Sequence, residues 1–551
     1  MGLGCGLASV RMIVRIRPLF RNPLFLVGLT AFLTALVVQS GELGSSDTTH
    51  RLQAAHSFWT SEPPVLPQDY PEFGIHGRNG QLYGWHGMGQ SLLMLPSDIV
   101  GTFLEQLPIF TNYENVDPAI RSIVVSFSTN ILVCVLTVLV CFRLLRLLDF
   151  SVNQRIAGAL ALLFCTTFLH YTQNTMENNY IMLLTLTGLA FQYEWLRTGS
   201  PRALWVGSAA LGANLLTRLT TGMDLLAVGL FLLLASWFTN TRGGAFRPRL
   251  VTYLKVAAPV YALFGLIDRA YQYHRFGSFF TTYVQIFAQE QKMRNPALPP
   301  AYPFETPFRV GFLGALIAPE KSIFLFDPLL VLTLIISVLL WKRFRPEIRA
   351  YVITSLLLLF AHISFYAKYT DWSGDFAWGD RYVSTAAQLV AFISVPLLLR
   401  HRKDVSRAVW RLGIALVAVS VVIQFSSVMF WCPLEIYQMD TLGHPTFIVA
   451  LRLRNIAAFT LGKMTQWGLI NDSVTADPWD YVHITTLNFL PFLLRRVGRA
   501  AAWVVATFTT VWFAALLTLM ALLIFIRIRA VRNEFDAAAV PAMSHGAPAS
   551  S

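Results

Sequence analysis

The chain has 551 residues, 55% of them hydrophobic and only 13% charged, with a formal net charge of +13. Soluble globular domains carry roughly 25% charged residues, so this composition excludes a water-soluble protein, and long apolar runs without periodic Gly or Pro exclude disordered and collagen-like chains. A spanning helix takes about 20 apolar residues, so a dozen would use roughly 240 and leave about 300 for loops, tails and surface helices. The predicted class is an all-α polytopic membrane protein.

The first apolar run, Pro23 to Gln39, follows Arg11, Arg15, Arg17 and Arg21. It reads as an uncleaved signal-anchor with its N-terminus in the cytoplasm. Further spans are predicted near 119–147, 155–170, 178–196, 203–217, 222–238 and 251–268, then near 322–341, 349–367, 381–400, 408–430 and 501–527. That gives about 12 transmembrane helices, with both termini cytoplasmic.

Charge checks this threading. The segments placed in the cytoplasm hold 25 of the 43 basic residues but six of the 30 acids, as positive-inside topology requires. Basic clusters between apolar runs are topology signals, so no nucleic-acid partner is expected. Of the five cysteines, Cys5, Cys134, Cys141 and Cys165 lie near the cytoplasmic face or in apolar runs, leaving Cys432 without an outside partner. No disulfide framework or CxxC spacing is present.

The cytoplasmic connections are short, whereas three outer segments are long: 41–118, 269–321 and 431–500. Long loops of this kind are functional sites, which puts the chemistry on the outer face of the cytoplasmic (inner) membrane. The predicted organisation is a catalytic core over 1–430 with outer loops 41–118 and 269–321. Residues 431–528 add an outer loop and the last span, and 529–551 form a cytoplasmic tail, disordered in its Ala/Pro/Ser-rich end. Amphipathic interfacial helices are expected in the outer loops, after Asp47 and over Phe489–Arg496.

Asp47 stands just past the first span, and the apolar residues at 52, 55, 58 and 59 suit a helix lying on the bilayer surface. A carboxylate held at that depth meets both a lipid headgroup and a water-borne substrate. The plainer alternative is an Asp that caps the helix after it. Four further stretches follow in order: Gly80–Pro96 (GQLYGWHGMGQSLLMLP), Arg275–Tyr283 (RFGSFFTTY), Ala318–Pro328 (APEKSIFLFDP) and Trp372–Tyr382 (WSGDFAWGDRY).

With Asp47, these stretches resemble the motifs of the GT-C superfamily of membrane glycosyltransferases, which includes protein-O-mannosyltransferase-like and aminoarabinose-transferase-like enzymes. The likeness spans about residues 24–430, and His86 and Gly87 depart from the Tyr/Pro usual at their positions. It implies transfer of a hexosyl or pentosyl group from a polyprenyl-phosphate donor to an acceptor hydroxyl, with inversion. The acceptor is a cell-envelope glycan, lipid or protein, and membrane lipids are the other partners.

The resemblance makes Asp47 the base that takes the acceptor proton. It sets Glu177 near a second acid used in related enzymes, a solvated loop acid being the alternative. Arg381, Lys321 and Arg218 are the cations for the departing phosphate. Against these stand structural readings: Arg381 pairing with Asp380 or Asp375, Lys321 snorkelling, and Arg218 pairing with Asp224 six residues on. Tyr83, His86, Trp372 and Trp378 are the expected substrate contacts, the aromatic rings offering faces for sugar C–H groups or an ordinary interfacial belt. The spacing of Asp371, Asp375 and Asp380 is no coordination motif, so a divalent metal is not favoured and no cofactor is expected.

Two rival classes remain open: a polymerase or ligase of lipid-linked glycans, and a 12-span transporter. A transporter would show internal repeats and polar groups at the bilayer midplane; here no repeat is visible and the ionisable residues gather at the outer ends.

Overall fold

A computed structural model describes residues 19–543, apart from residue 71 and the segments 114–117, 240–245, 376, 432, 472–485 and 498–500. The chain is an all-α polytopic membrane protein. Among the described residues the β structure is one two-residue ribbon, Ile75–His76 antiparallel to Leu82–Tyr83.

Among the described residues, six helices are long and apolar enough to cross a bilayer: Ile120–Leu147, Leu219–Phe238, Arg249–Phe276, Pro346–Tyr366, Arg407–Ser427 and Ala502–Arg532. Each overlaps a predicted span. The other six predicted spans are also helical, but shorter, more polar or broken. Pro23–Val38, Asn178–Thr198 and Pro201–Leu215 are continuous. Three are split: Val152–Cys165 from Phe168–Gln173, Ile323–Phe326 from Leu329–Leu340, and Ser384–Phe392 from Ser394–Arg400.

Two of these breaks satisfy each other. The Asp327 carboxylate accepts from the Thr167 N–H at 2.7 Å and from its hydroxyl at 3.0 Å. Asp327 thereby holds Thr167, the N-cap of the Phe168–Gln173 helix, while Pro328 is the N-cap of the helix that follows it.

The two ends of the bundle differ in chemistry. At one end, segments assigned from charge to the cytoplasm meet through ion pairs. Arg143 Nε lies 2.9 Å from Glu194, while Asp149 receives Arg197 at 3.2 Å and Arg345 at 2.9 Å. Arg529 donates to the carbonyls of Phe20 and Arg21, joining the last helix to the first.

At the opposite end, carboxamides close off helix termini. Gln173 Nε2 donates to the carbonyls of Val38 (2.7 Å), Val428 (3.0 Å) and Asn488 (2.7 Å). Unpaired C-terminal carbonyls are costly in an apolar setting, and one side chain here answers two of them, at Val38 and Val428, and the carbonyl of Asn488 before the Leu490–Val497 helix.

The outer segments hold more helix than the sequence pattern predicts. Gly89–Glu105, Tyr283–Arg294 and the apolar Phe308–Ile317 all form within loops. Residues 433–460 form a pair of helices, Pro433–Asp440 and Ile448–Thr460. The interfacial helix expected near 489–496 is present as Leu490–Val497. The last helix runs to Met543, through much of the segment read as a disordered tail; residues 544–551 lie outside the described residues. Cys134, Cys141 and Cys165 are buried free thiols, and Cys5 and Cys432 also fall outside the described residues.

The outer helix pair is anchored by one fully buried ion pair. Arg452 meets both carboxylate oxygens of Glu435, Nε at 2.6 Å, and also donates to the carbonyls of Ser427 and Phe430, where the Arg407–Ser427 helix ends. Removing one partner leaves an uncompensated buried charge, worth about 3–5 kcal/mol. Arg452→Met should therefore loosen residues 433–471 while sparing the spans; hydrogen exchange read by mass spectrometry over that segment checks it.

Candidate functional site

Asp47 stands in the first turn of the Ser46–His56 helix, but it does not cap it. Ser45 Oγ accepts from the Thr48 N–H, so the N-cap is Ser45 and the Asp47 carboxylate is free for other partners. A carboxylate in a first helical turn is stabilised there by the helix dipole. The helix is fixed to the loop before Asn178–Thr198: Thr48 Oγ1 donates to the Thr175 carbonyl at 3.1 Å, and the Thr175 N–H donates to Leu43.

That same loop ends on Glu177, whose carboxylate makes no cap of its own helix. It pairs instead with Arg51 at 2.6 Å and with Arg218. Arg51 also faces His86 Nδ1 at 3.3 Å. Because a guanidinium only donates, His86 Nδ1 is the acceptor, and the ring proton sits on Nε2. Nε2 faces Asp47 Oδ1 at 3.7 Å.

The second Asp47 oxygen receives Arg381 at 2.8 Å. Arg381 comes from the loop between Tyr366 and Ser384, and two features place it. Gly374 has φ +75°, and a Cβ there would meet the Arg381 side chain at 2.5 Å, so a larger residue would displace it. Asn178 Nδ2 donates to the Arg381 carbonyl at 2.6 Å. The rings of Tyr366 and Tyr382 stack 4.4 Å apart, and the guanidiniums of Arg218 and Arg381 lie 5.1 and 5.3 Å from the Tyr382 ring.

Gly87, one of the two departures from the family pattern, has a local reason. A Cβ there would meet the Leu216 carbonyl at 2.3 Å, and the neighbouring Gly89 N–H donates to that same oxygen at 2.8 Å. The chain at residues 86–89 thus lies directly on the turn that leads into Arg218. Arg275 closes this segment from the other side, donating to the carbonyls of Gly84 (2.8 Å) and His86 (2.9 Å).

The electrostatics follow from this packing. Burial alone would raise Asp47, but His86 where its ring is protonated, and the Arg381 and Arg51 guanidiniums at every pH, outweigh it and hold the carboxyl well below the usual range. Glu177 is lowered likewise, Arg218 and Arg51 overcoming its burial. Burial, then Arg51, pushes His86 down to about 3, so at neutral pH the ring is uncharged. Asp47 and Glu177 are ion-paired with Arg51, Arg218 and Arg381, and Asp371, Asp375 and Asp380 also act on Arg381 from its own loop. Arg381 Nε is buried without a partner among the described residues. That unpartnered nitrogen is a donor to which an anion could bind.

The structure thus gathers Asp47, Glu177, Arg218, Arg381 and His86 from the expected set. Lys321 is placed differently: its ammonium turns into the 375–379 loop and donates to the carbonyls of Ala377 (2.9 Å) and Gly379 (3.4 Å). It holds the loop that carries Arg381, in place of the headgroup contact expected of it.

Trp378 is 1% exposed, packed on Phe326 and under Arg452, so its ring is core where a sugar platform was expected. Trp372 lies against Gly314 of the Phe308–Ile317 helix. Tyr83 is buried in the ribbon, its hydroxyl on Gln81 and its ring edge-on to Phe276. The Arg218–Asp224 pair does not form, since Arg218 goes to Glu177.

Arg51, Arg275, Tyr366 and Tyr382 had no role in the expectation. Arg51 was the most findable, because it is four residues after Asp47 and so on the same helix face. Among the described residues no group of three or more His, Cys, Asp or Glu is close enough to hold a metal ion.

No protein-family model matches the chain, and no curated protein matches it. Solved structures do. ArnT from Cupriavidus metallidurans bound to undecaprenyl phosphate is 15% identical with a TM-score of 0.40, over 86% of this chain and 76% of that one. Its apo form is 14% identical with a TM-score of 0.41, over 94% and 77%. The apo oligosaccharyltransferase of Archaeoglobus fulgidus is 12% identical with a TM-score of 0.40, over 74% and 55%.

The His86 contacts give a spectroscopic prediction. Nitrogen-15 spectra of histidine-labelled protein should show His86 as the Nε2–H tautomer, still uncharged at pH 5. Arg51→Ala, which removes the donor to Nδ1 and a nearby positive charge, should raise the pH at which His86 protonates.

Proposed function

We propose that the chain is a membrane glycosyltransferase that moves a sugar from a polyprenyl-phosphate donor to an acceptor hydroxyl on the extracytoplasmic face. The observation that carries this reading is the Asp47–Arg381 pair, set in a largely buried cluster with Arg51, Arg218 and Glu177 in which Arg381 Nε is left without a partner among the described residues. An acid for the acceptor and cations for a phosphate stand side by side at the end of the bundle away from the basic cluster. The ordered motifs from Asp47 to Tyr382 support the same reading.

Asp47 is the base. As the acceptor oxygen bonds to the anomeric carbon, its proton passes to Asp47, and the bond from that carbon to the phosphate oxygen breaks on the opposite face, inverting the centre. Arg381, with its free Nε, takes the charge that builds on the leaving phosphate, and Arg218 supports it. Undecaprenyl phosphate, the lipid held by ArnT, is a leaving group of this class.

The resting pair explains how such a base is kept off. While Arg381 holds Asp47, the carboxyl is too weak a base to be useful; a donor phosphate that draws Arg381 away releases it toward its ordinary strength. Glu177 keeps Arg51 and Arg218 in place through this exchange. Lys321 acts on the loop and not on the lipid. His86 lies where an acceptor would meet Asp47.

Arg51 and His86 beside Asp47 favour a second reading, a ligase of lipid-linked glycans, in which basic outer-loop residues handle a diphosphate carrier. The donor that is cleaved separates the two.

The test is the full-length protein in liposomes with a panel of polyprenyl-phosphate sugars and a cell-envelope extract, free polyprenyl phosphate being read by mass spectrometry. Asp47→Asn should cut release at least about 100-fold, within the range for loss of a general base, while donor binding persists. Arg381→Ala should raise the donor KM. Release that survives in Asp47→Asn would move the base elsewhere, and release only from diphosphate-linked glycans would favour the ligase.

A further inference from the structure

Trp378 is core, but five other rings in the outer segments follow one another beside Asp47. The His50 ring stacks on Phe73 at 4.2 Å, and Phe73 is stacked with Trp85 at 6.2 Å. Trp85 packs on Phe287 at 4.7 Å, and Phe287 lies 6.3 Å from Tyr302. Two helices, Ser46–His56 and Tyr283–Arg294, and the segments that follow them supply these rings. His50 is buried, whereas Phe73, Trp85, Phe287 and Tyr302 are half-buried, so the row keeps surface open to solvent.

One end of the row meets the proposed base. His50 is three residues after Asp47 on the same helix, and so on the same side of it. Trp85 directly precedes His86, whose Nε2 faces Asp47 Oδ1 at 3.7 Å.

Carboxylates stand at both ends. Asp69 Oδ2 lies 3.6 Å from His50 Nδ1, and Glu72 also acts on that ring. At the far end, burial and then Asp371 and Glu305 raise the Tyr302 hydroxyl. Glu305 takes the Thr370 hydroxyl on one oxygen at 2.8 Å, and its other oxygen is buried without a partner among the described residues. Ionised carboxylates only accept, so these groups need donors.

A ligand suited to this row has flat apolar faces, hydroxyl donors at its edges and no negative charge. Anionic lipid headgroups and uronate-bearing chains fail the last condition, because like charges brought together exclude a partner. A pyranose meets all three, its C–H faces lying on rings and its hydroxyls donating to carboxylates. We infer that Phe73, Trp85, Phe287 and Tyr302 form the acceptor platform of the Asp47 site, and that the acceptor is an uncharged oligosaccharide. This rests on the glycosyltransferase reading and names the acceptor class within it. The two substrates are sorted by charge: the donor phosphate goes to the arginines, and the neutral chain goes to the rings that lead its hydroxyl to Asp47.

The experiment is saturation-transfer NMR on the purified full-length protein in lipid nanodiscs, with maltotriose, chitotriose and trigalacturonate as probes. At least one neutral trisaccharide should receive magnetisation on its ring C–H protons, and the uronate should receive none. Phe287→Ala should abolish that transfer, Trp85→Ala should lose it, and Trp85→Phe should keep it. In the liposome assay, Phe287→Ala should raise the acceptor KM about tenfold, on the scale of a lost ring contact, and leave the donor KM unchanged.

No transfer to either neutral probe would overturn the proposal, as would equal transfer to trigalacturonate. A donor sugar found on a lipid or peptide product that carries no other sugar would also overturn it. Probe binding that is lost in Phe287→Ala, in a protein that releases polyprenyl phosphate from no donor, would uphold the glycan platform and remove only the transferase reading. If Phe287→Ala does not fold, Tyr302→Ala decides by the same two readouts, because a purely structural loss would not spare the donor KM.

Discussion

One contact, Arg381 on Asp47 at 2.8 Å, joins the exit of the first helix to a loop 334 residues further along the chain. Neither partner could lie there alone. A carboxylate as enclosed as Asp47 would take up a proton if its cations were absent, and Arg381 without Asp47 would lose the carboxylate its guanidinium binds directly. The fold around them can be read as the set of supports that keep the two in reach. Ser45 takes over the cap so that Asp47 need not, Gly374 leaves room for the Arg381 side chain, and Asn178 holds the Arg381 backbone.

The second carboxylate extends that logic. Glu177 begins the Asn178–Thr198 helix, and it binds Arg51 from the Asp47 helix and Arg218 from the turn after Pro201–Leu215. Three pieces of chain are thereby tied at one carboxylate. Loss of a surface ion pair costs little, but these groups are largely buried and share partners, so a change at one is felt by all. Uncharged His86 sits between the two carboxylate systems and adds a donor without adding charge.

Much of this was legible in the sequence, in unequal measure. The spans were plain because apolar runs and basic clusters are set by the bilayer itself, and the breaks at Thr166–Thr167 and Asp327–Pro328 were hidden inside those same runs. Asp47 and Arg381 could be singled out because each stood at a predicted membrane exit within a family-like motif. Lys321 and Trp378 stood in such motifs too, yet motif and depth do not fix direction. A lysine at an interface can turn to a headgroup or to three loop carbonyls, and only the path of the 375–379 loop decides. A Trp beside that loop can face water or core in the same way, and here the outer helix pair covers it. Arg452 and Glu435 were unreadable, because their partnership crosses a helix turn and the end of a span, and neither residue carries a local signature.

Arg218 shows what one arginine between two acids can set. Sequence proximity favoured Asp224, six residues away, but helix geometry does not: a residue six positions on lies about 600° around a helix, far from the same face, and the Leu219–Thr221 turn intervenes. Glu177 wins because the loop before Asn178 brings it alongside while Arg51 already draws its other oxygen. The outcome keeps Arg218 in the cluster around Asp47 and leaves Asp224 buried at the start of the Gly222–Phe238 helix.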